Sequence, residues 1–146
     1  MDSISPLKGI LIVYVQPIFE LGLIGVAEPN VPNRERILIR PTQSVPLTDF
    51  AVLVAFRNEN GTLTPLWDHL FWFGTIQVAP PSWISLYTGR GTQSQVVEPV
   101  SGETIHNFYW NRDRTIFATT RVVPVVVRIG GLLSGVLLQE PAKPMR

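Results

Sequence analysis

Residues 71–92 read FWFGTIQVAPPSWISLYTGRGT, and they are the strongest indication of the fold. One residue separates Phe71 from Phe73 and Ile84 from Leu86, so each pair would point to the same side of an extended strand. The two consecutive prolines between the pairs cannot continue a helix and favour an extended corner. A Gly-x-Gly turn then lets the chain leave the second strand. The stretch therefore predicts two strands, each with one face toward a core.

The rest of the chain repeats this pattern of short apolar runs between chain breaks. Thirteen prolines and eleven glycines are spread over 146 residues, which leaves no room for long helices. The runs between them are rich in β-branched and aromatic residues, which favour strands. The candidate strands are residues 9–15, 19–26, 36–40, 50–57, 69–77, 83–88, 106–110, 115–120, 122–129 and 135–138. Many short strands of this kind predict an all-β sandwich or barrel.

A family resemblance extends from the first aromatic strand to a second aromatic hairpin. It is carried by Phe71, Phe73, Pro80, Pro81, Thr88, Gly89, Gly91, Tyr109, Trp110, Ile116 and Phe117. In this order they resemble the aromatic strand, proline corner, Thr-Gly-x-Gly turn, Tyr-Trp pair and aliphatic-aromatic pair of the lamin-tail domain family. Residues 63–67 resemble the family's Leu-Ser-Gly-Trp turn more loosely. The resemblance implies an immunoglobulin-like β-sandwich that serves as a binding module.

The resemblance covers about residues 49–138 and is strongest over 71–117. Residues 118–121 depart from the Asn-x-Gly-Asp turn of the family, and residues 1–48 have no counterpart in it. We therefore predict extra N-terminal strands in residues 1–48, which either cover a strand edge or are exchanged between chains.

The boundaries of the predicted sandwich follow from this division. Residues 49–138 match the size of an immunoglobulin-like fold of about 100 residues. Residues 28–36 contain two prolines and form the most linker-like stretch before it. Residues 139–146 also contain two prolines, and we expect them to form a flexible tail.

Pro124 interrupts a valine-rich run over residues 122–129. Proline has no N–H to donate to a central ladder, so this strand is predicted to lie at a sheet edge or to be bulged. An apolar edge strand associates readily unless something covers it. We expect the apolar N-terminal strands or a second chain to provide that cover.

The low charge of the chain limits the classes of protein to which it can belong. Charged residues make up 16%, against about 25% in a typical soluble domain, while apolar residues make up 45%. This composition excludes a disordered chain and predicts apolar surface in need of a cover. A net charge of +1 argues against binding nucleic acid by bulk charge. The absence of cysteine excludes a disulfide scaffold, a thiol nucleophile and cysteine-ligated metals.

Membrane and targeting segments are not evident in the sequence. A spanning helix needs about 20 consecutive apolar residues, and the chain has no such run. Residues 9–15 resemble the apolar part of a signal peptide, but no clear cleavage site follows them. The sequence therefore predicts no transmembrane segment and slightly favours a cytoplasmic location.

Exposed aromatic and valine side chains are the candidate interface. Trp72 alternates with Phe71 and Phe73, so it should point away from the core if they point into it. An outward tryptophan is suited to anchor an interface. The other predicted interface residues are Tyr109, Trp110, Val125 and Val127. We predict a non-catalytic interaction and assembly module that self-associates through apolar strand edges, with a second copy or another protein as partner.

Arginine-rich turns provide an alternative function. Gly89, Arg90 and Gly91 could cradle an anion with backbone N–H groups and a guanidinium. Arg112 and Arg114 lie beside aromatic residues, a combination that single-strand binders use. The alternative is therefore a β-sandwich that binds nucleic acid or another anion.

Catalytic residues are scarce. His69 follows Asp68, and His106 lies three residues after Glu103, but no Gly-x-Ser-x-Gly motif is present. A small hydrolase that uses either histidine is the third and least favoured hypothesis. We expect no enzymatic activity, no cofactor and no metal.

Overall fold

The computed structural model describes residues 17–138, and almost all of its regular structure is β-strand. One turn of 3-10 helix, Leu47–Asp49, interrupts the strands. The strands are β1 Leu21–Ala27, β2 Arg36–Pro41, β3 Val45–Pro46, β4 Phe50–Arg57, β5 Leu63–Trp72, β6 Gln77–Val78, β7 Ser82–Tyr87, β8 Ser94–Val97, β9 Thr104–Tyr109 and β10 Val122–Arg128. The predicted strand 9–15 and the predicted tail 139–146 lie outside the described residues.

Two main sheets face each other. The larger has the strand order β1-β2-β7-β9-β8, and the smaller has the order β10-β4-β5. The short strands β3 and β6 pair separately. All pairings are antiparallel except that of β7 with β9, which is parallel. The all-β sandwich predicted from the sequence is confirmed.

The core lies between the two sheets and follows the two-residue period of the strands. The larger sheet contributes Ile37, Ile39, Ile84, Leu86 and Phe108, which are all buried. The smaller sheet contributes Phe50, Val52 and Val54 from its central strand. Each side chain of this size stabilises the fold by about 1.5–3 kcal/mol when it is fully buried.

The N-terminal residues that the structure describes belong to the same core. β2 lies between β1 and β7, and its two isoleucines are fully buried. The predicted boundary at residue 49 falls within the 3-10 turn, and Leu47 and Phe50 beside it are both 0% exposed. Whether this region is exchanged between chains stays a prediction.

The linker-like interpretation of residues 28–36 was wrong. Glu35 is 1% exposed and accepts hydrogen bonds from Asn30 N, Thr88 Oγ1, Ile116 N and Phe117 N. The stretch is therefore an ordered connection that delivers a carboxylate into the fold.

Some predicted strands also differ from the structure. Residues 115–120 form no strand, because the N–H groups of Ile116 and Phe117 donate to Glu35 instead of a neighbouring strand. Residues 135–138 form none either. Residues 63–67 are not a turn but the first half of β5. β8 was missed because its residues are exposed throughout and show no apolar alternation.

Pro124 lies on an edge strand, as predicted, because β10 is the outer strand of the smaller sheet. Arg57 N–H donates to Arg121 O, and Ile129 N–H donates to Asp49 O, both at 2.7 Å. Since antiparallel bonding alternates along the strand, odd-numbered β10 residues bond to β4 and even-numbered ones face the free edge. The missing N–H of Pro124 therefore falls on the free edge and costs no bond to β4.

Candidate interaction surface

The smaller sheet carries an apolar patch on its outward side, interrupted on β5 by a register shift over residues 66–69 that includes the charged Asp68. Its residues form three cross-strand rows: Val127–Ala51–Trp72, Val125–Leu53–Leu70 and Val123–Ala55–Pro65. We call these nine residues the apolar face. None of the nine carries a charge or a polar side-chain group other than the Trp72 indole N–H.

The core contacts of each strand establish that these residues point outward. Val122 and Val126 of β10 pack against the core, as do Leu66 and Phe71 of β5, a strand whose register shifts between Pro65 and Leu70. Phe50, Val52 and Val54 of β4 belong to the core itself. Because side chains alternate along a strand, the intervening residues point away from the core. β4 therefore presents apolar side chains on both of its faces.

The relief of the apolar face is uneven. Ala51 and Ala55 are each 1% exposed, since they lie between larger cross-strand neighbours, and Leu53 rises between them. Leu70 and Trp72 are 58% and 45% exposed on the β5 side. The central column therefore runs small, large, small, and the flanking side chains close over each alanine.

Polar groups border the apolar face at its ends. The indole Nε1 of Trp72 donates to Thr48 O at 2.8 Å, which orients the ring. Arg57 and Arg121 lie at one end of the face, and Arg121 pairs with Glu59 at 3.7 Å. Asp49 lies at the other end. An apolar centre with a polar rim is the usual anatomy of a protein interface.

The apolar ends of the described chain meet at one side of the sandwich. A groove of about 410 Å³ between the β1 and β10 edges is lined by Ile18, Leu21, Leu23, Val123, Pro124 and Val126, among others. Arg128 donates to Glu20 Oε1 at 2.8 Å, and a second nitrogen lies 2.5 Å from Oε2. This pairing lowers the pKa of Glu20 to about 2. The described part of the N-terminal region and strand β10 thus lie side by side.

The five predicted interface residues lie in three different places. Trp72, Val125 and Val127 all lie on the apolar face. Tyr109 instead stacks on Tyr87 at 5.1 Å between ring centroids, on the outward side of the larger sheet. Trp110 is half-buried, 5.8 Å from Phe71.

The predicted anion-binding residues are brought together, and several of their donors are already engaged. Gly91 N–H donates to Asn111 Oδ1, and Arg112 N–H donates to Thr88 O, both at 3.0 Å. The Arg90 guanidinium pairs with Asp113. Arg112 donates to Asp68 O at 3.1 Å and lies 3.7 Å from its carboxylate. Arg114 is exposed beside a polar groove of about 420 Å³.

Two glycines in these turns have separate structural roles. A methyl group at Gly91 would overlap the ring of Tyr109, so the chain needs glycine there for close packing. Gly89 O accepts from Asn111 N–H at 3.0 Å, which joins the two turns.

The two histidines lie in different environments. His69 Nδ1 lies 2.6 Å from Asp68 Oδ1, a contact that lowers the pKa of Asp68. His106 is 7% exposed, its Nδ1 has no hydrogen-bond partner within residues 17–138, and burial lowers its pKa. Glu103 bonds to Arg40 at 2.8 and 3.0 Å.

Between residues 17 and 138, no group of three or more acidic or histidine side chains could hold a metal ion. In the same range, no helix is long and apolar enough to cross a membrane.

Comparison with known proteins finds no matching family model, no significant match among curated proteins and none among solved structures. The resemblance to the lamin-tail family, and the immunoglobulin-like topology that it implies, therefore stay predictions.

Sequence reasoning missed six members of the apolar face. They are Ala51, Leu53, Ala55, Pro65, Leu70 and Val123. The signal was present in residues 50–56, FAVLVAF, where the even-numbered and the odd-numbered residues are both apolar, so both faces of the strand are apolar. A strand with one face on a core and the other in water alternates instead.

Proposed function

We propose that the protein is a non-catalytic interaction and assembly module that self-associates through the apolar face. The observation that carries this proposal is the uncharged composition of nine outward residues in three cross-strand rows. An antiparallel sheet with one face in water usually presents polar residues there. Large exposed apolar patches on monomers, typically about 300–600 Å², are often functional. Trp72 is the natural anchor, since tryptophan is enriched among the residues that dominate binding energy.

Side-chain packing, rather than strand pairing, is the expected mode of contact. Strand addition requires free N–H groups along an edge. On the free edge of β10, Pro124 has no N–H, and Val122 N–H is bound to Thr119 O at 3.3 Å. Val126 and Arg128 remain as the β10 donors that face this edge. This revises the expectation of association through strand edges toward association through the adjoining face.

The other two hypotheses have less support. Anion or nucleic-acid binding would use Arg90, Arg112 and Arg114, of which the first two are paired with Asp113 and Asp68. A hydrolase would need an accessible histidine, and His106 is buried. His69 pairs with the Asp68 carboxylate, and its ring centroid lies 6.4 Å from that of Trp110.

Light scattering during size-exclusion chromatography tests the proposal. At micromolar concentration the wild-type protein should have a mass of at least two chains of 16.3 kDa. A Val125→Asp/Val127→Asp variant should have the mass of one chain, because association would bury two carboxylates without partners. Both valines point away from the core, so the variant should still fold.

Val97→Asp is the matched control. Val97 is a strand residue that is 63% exposed on β8, away from the apolar face. Its substitution should leave the mass unchanged, and circular dichroism should be the same for all three proteins. A wild-type mass of 16.3 kDa, or an undiminished mass in the double variant, would contradict the proposal.

A further inference from the structure

Five large apolar side chains are exposed in the segment that follows β10. Residues 129–138 contain no charged residue, and residues 130–138 form no strand or helix. We call residues 132–138 the leucine segment. Leu132, Leu133, Val136, Leu137 and Leu138 are 73–99% exposed there. So much exposed apolar surface in so short a segment calls for a partner surface.

The apolar face alone is too small for a stable dimer. Three strands about 4.8 Å apart and three rows about 6.8 Å apart give a patch of about 300 Å². A standard interface buries about 800 Å² on each partner. The leucine segment begins four residues after the end of β10 and adds the apolar surface that the face lacks.

The dimensions of the leucine segment match those of the apolar face. Seven extended residues span about 23 Å, and the three rows of the face span about 20 Å. Along one side of an extended chain the segment presents Leu133, Gly135 and Leu137. This order is large, small, large at two-residue spacing. The central column of the face, Ala51, Leu53 and Ala55, is small, large, small at the same spacing.

We infer that the leucine segment of one copy packs on the apolar face of a second copy, with Leu133 and Leu137 over the two rows that contain the alanines and Gly135 over Leu53. This inference rests on the proposed function and names its partner. In a two-fold dimer each copy receives the segment of the other, so both faces are covered and the assembly closes at two chains.

The short connection favours a second copy over the same chain. Ile129 N–H is bonded to Asp49 O, which holds Ile129 in the plane of the sheet. Packed layers lie about 10 Å apart, and the three steps from Ile129 to Leu132 span at most about 10 Å. No length is left for the chain to reverse over its own face. A segment that continues outward to a partner needs no reversal.

Chemical cross-linking tests the contact directly. The chain has no cysteine, so Leu53→Cys and Gly135→Cys variants report one contact without background. Both positions are central, so they lie opposite each other whichever way the segment runs. A short bis-maleimide should link an equimolar mixture of the variants into a species of twice 16.3 kDa, and link either variant alone far less. In the double variant, a cross-link that leaves the mass at one chain would place the segment on its own face and overturn the inference.

Charge substitutions within the leucine segment separate the inference from the proposed function. Leu133→Asp/Leu137→Asp should raise the dimer dissociation constant at least about 100-fold, while Leu132→Asp/Leu138→Asp, on the opposite side of the segment, should raise it less than about tenfold. Equal effects of the two pairs would contradict the proposed register. If Val125→Asp/Val127→Asp dissociates the protein and Leu133→Asp/Leu137→Asp does not, the proposed function stands and this inference fails. A monomeric wild-type protein would contradict both the proposed function and this inference.

Discussion

Glu35 organises three separate segments of the chain around one buried carboxylate. Its Oε1 accepts from Thr88 Oγ1 at 2.8 Å and from Ile116 N–H at 2.6 Å. Its Oε2 accepts from Asn30 N–H at 2.6 Å and from Phe117 N–H at 3.0 Å. A buried charge is expensive unless it is fully hydrogen-bonded, and four donors meet that requirement. For the N–H groups of Ile116 and Phe117, the carboxylate supplies the hydrogen-bond acceptors that a neighbouring strand would otherwise provide.

Replacing this carboxylate by an amide should destabilise the fold. In Glu35→Gln one acceptor oxygen becomes an NH₂ group that faces two donors, so two charge-assisted bonds are lost. We expect a loss of about 2–4 kcal/mol in the free energy of unfolding, measured in urea. Glu59→Gln is the control, because the Glu59 side chain is 87% exposed. Equal stability of the two variants would show that the carboxylate network contributes nothing specific.

His106 should make the stability of the protein depend on pH. Burial lowers its pKa below the ordinary 6.5, so below pH 6.5 the unfolded chain binds a proton that the folded chain does not. The stabilising contribution is therefore complete above pH 6.5 and is lost as the pH falls, by at most about 1.4 kcal/mol per pH unit.

Urea unfolding between about pH 7 and pH 5 measures this loss. His106→Leu should flatten the dependence, since it removes the buried titrating group. His69→Gln keeps His106 and should retain the slope of the wild type. An unchanged slope in His106→Leu would assign the effect to other groups.

At the scale of whole strands, the sequence predicted best where local pattern and burial agree. Residues 50–57 were predicted as a strand and form β4 with the same bounds. Residues 115–120 have a similar apolar pattern, but their backbone donors bind Glu35, which is more than 80 residues away in the sequence. A local pattern carries no information about so distant a partner. The parallel pairing of β7 with β9 has a different origin. The chain passes β9's position to form β8 at the sheet edge and then returns as β9 between β7 and β8.

The candidate surface shows the same limit. Trp72 was predicted to point outward from its alternation with two phenylalanines, and it does. Its neighbours Ala51 and Val127 come from strands far away in the sequence, and their row forms only when the sheet does. The residue types were therefore predictable, whereas their juxtaposition was not.

Pro124 protects the free edge of β10 from strand addition, and its replacement should reveal this. Because the N–H of residue 124 would face the free edge, Pro124→Val should keep the bonds to β4 and add one exposed donor. We expect stability within about 1 kcal/mol of wild type and more high-mass species in light scattering.

Pro99→Val is the matched control, since Pro99 is exposed in a turn after β8. It should not increase the scattered intensity. Severe destabilisation by Pro124→Val would contradict the assignment of even-numbered residues to the free edge.

The low charge of the whole molecule has an uneven spatial distribution. The larger sheet carries ion pairs on its outward side, such as Arg36 with Glu28 and Arg40 with Glu103. The smaller sheet carries the apolar face, and the leucine segment adds to it. The N-terminal strand β1 lies beside β10, and the Glu20–Arg128 ion pair joins their ends. Charged side chains are therefore absent from the apolar face, while the outward side of the larger sheet combines ion pairs with apolar residues such as Leu38, Trp83 and Ile105.

This distribution determines how salt should affect assembly. Contacts between uncharged side chains are not screened, so the dimer dissociation constant should change less than about threefold between low and high sodium chloride. Ammonium sulfate should lower the constant, because excluded salts strengthen apolar burial. Sedimentation velocity across both salt series measures the effect.

The alternative function predicts the opposite salt dependence. Binding of a single-stranded oligonucleotide through Arg90, Arg112 and Arg114 would weaken steeply as salt increases, since each phosphate contact releases bound counterions. A fluorescent oligonucleotide titrated at low salt provides the comparison on the same preparation. Assembly that dissociates in sodium chloride, together with tight oligonucleotide binding at low salt, would favour the arginine turns over the apolar face. Assembly that persists in sodium chloride and tightens in sulfate would place the free energy of association in the apolar contacts.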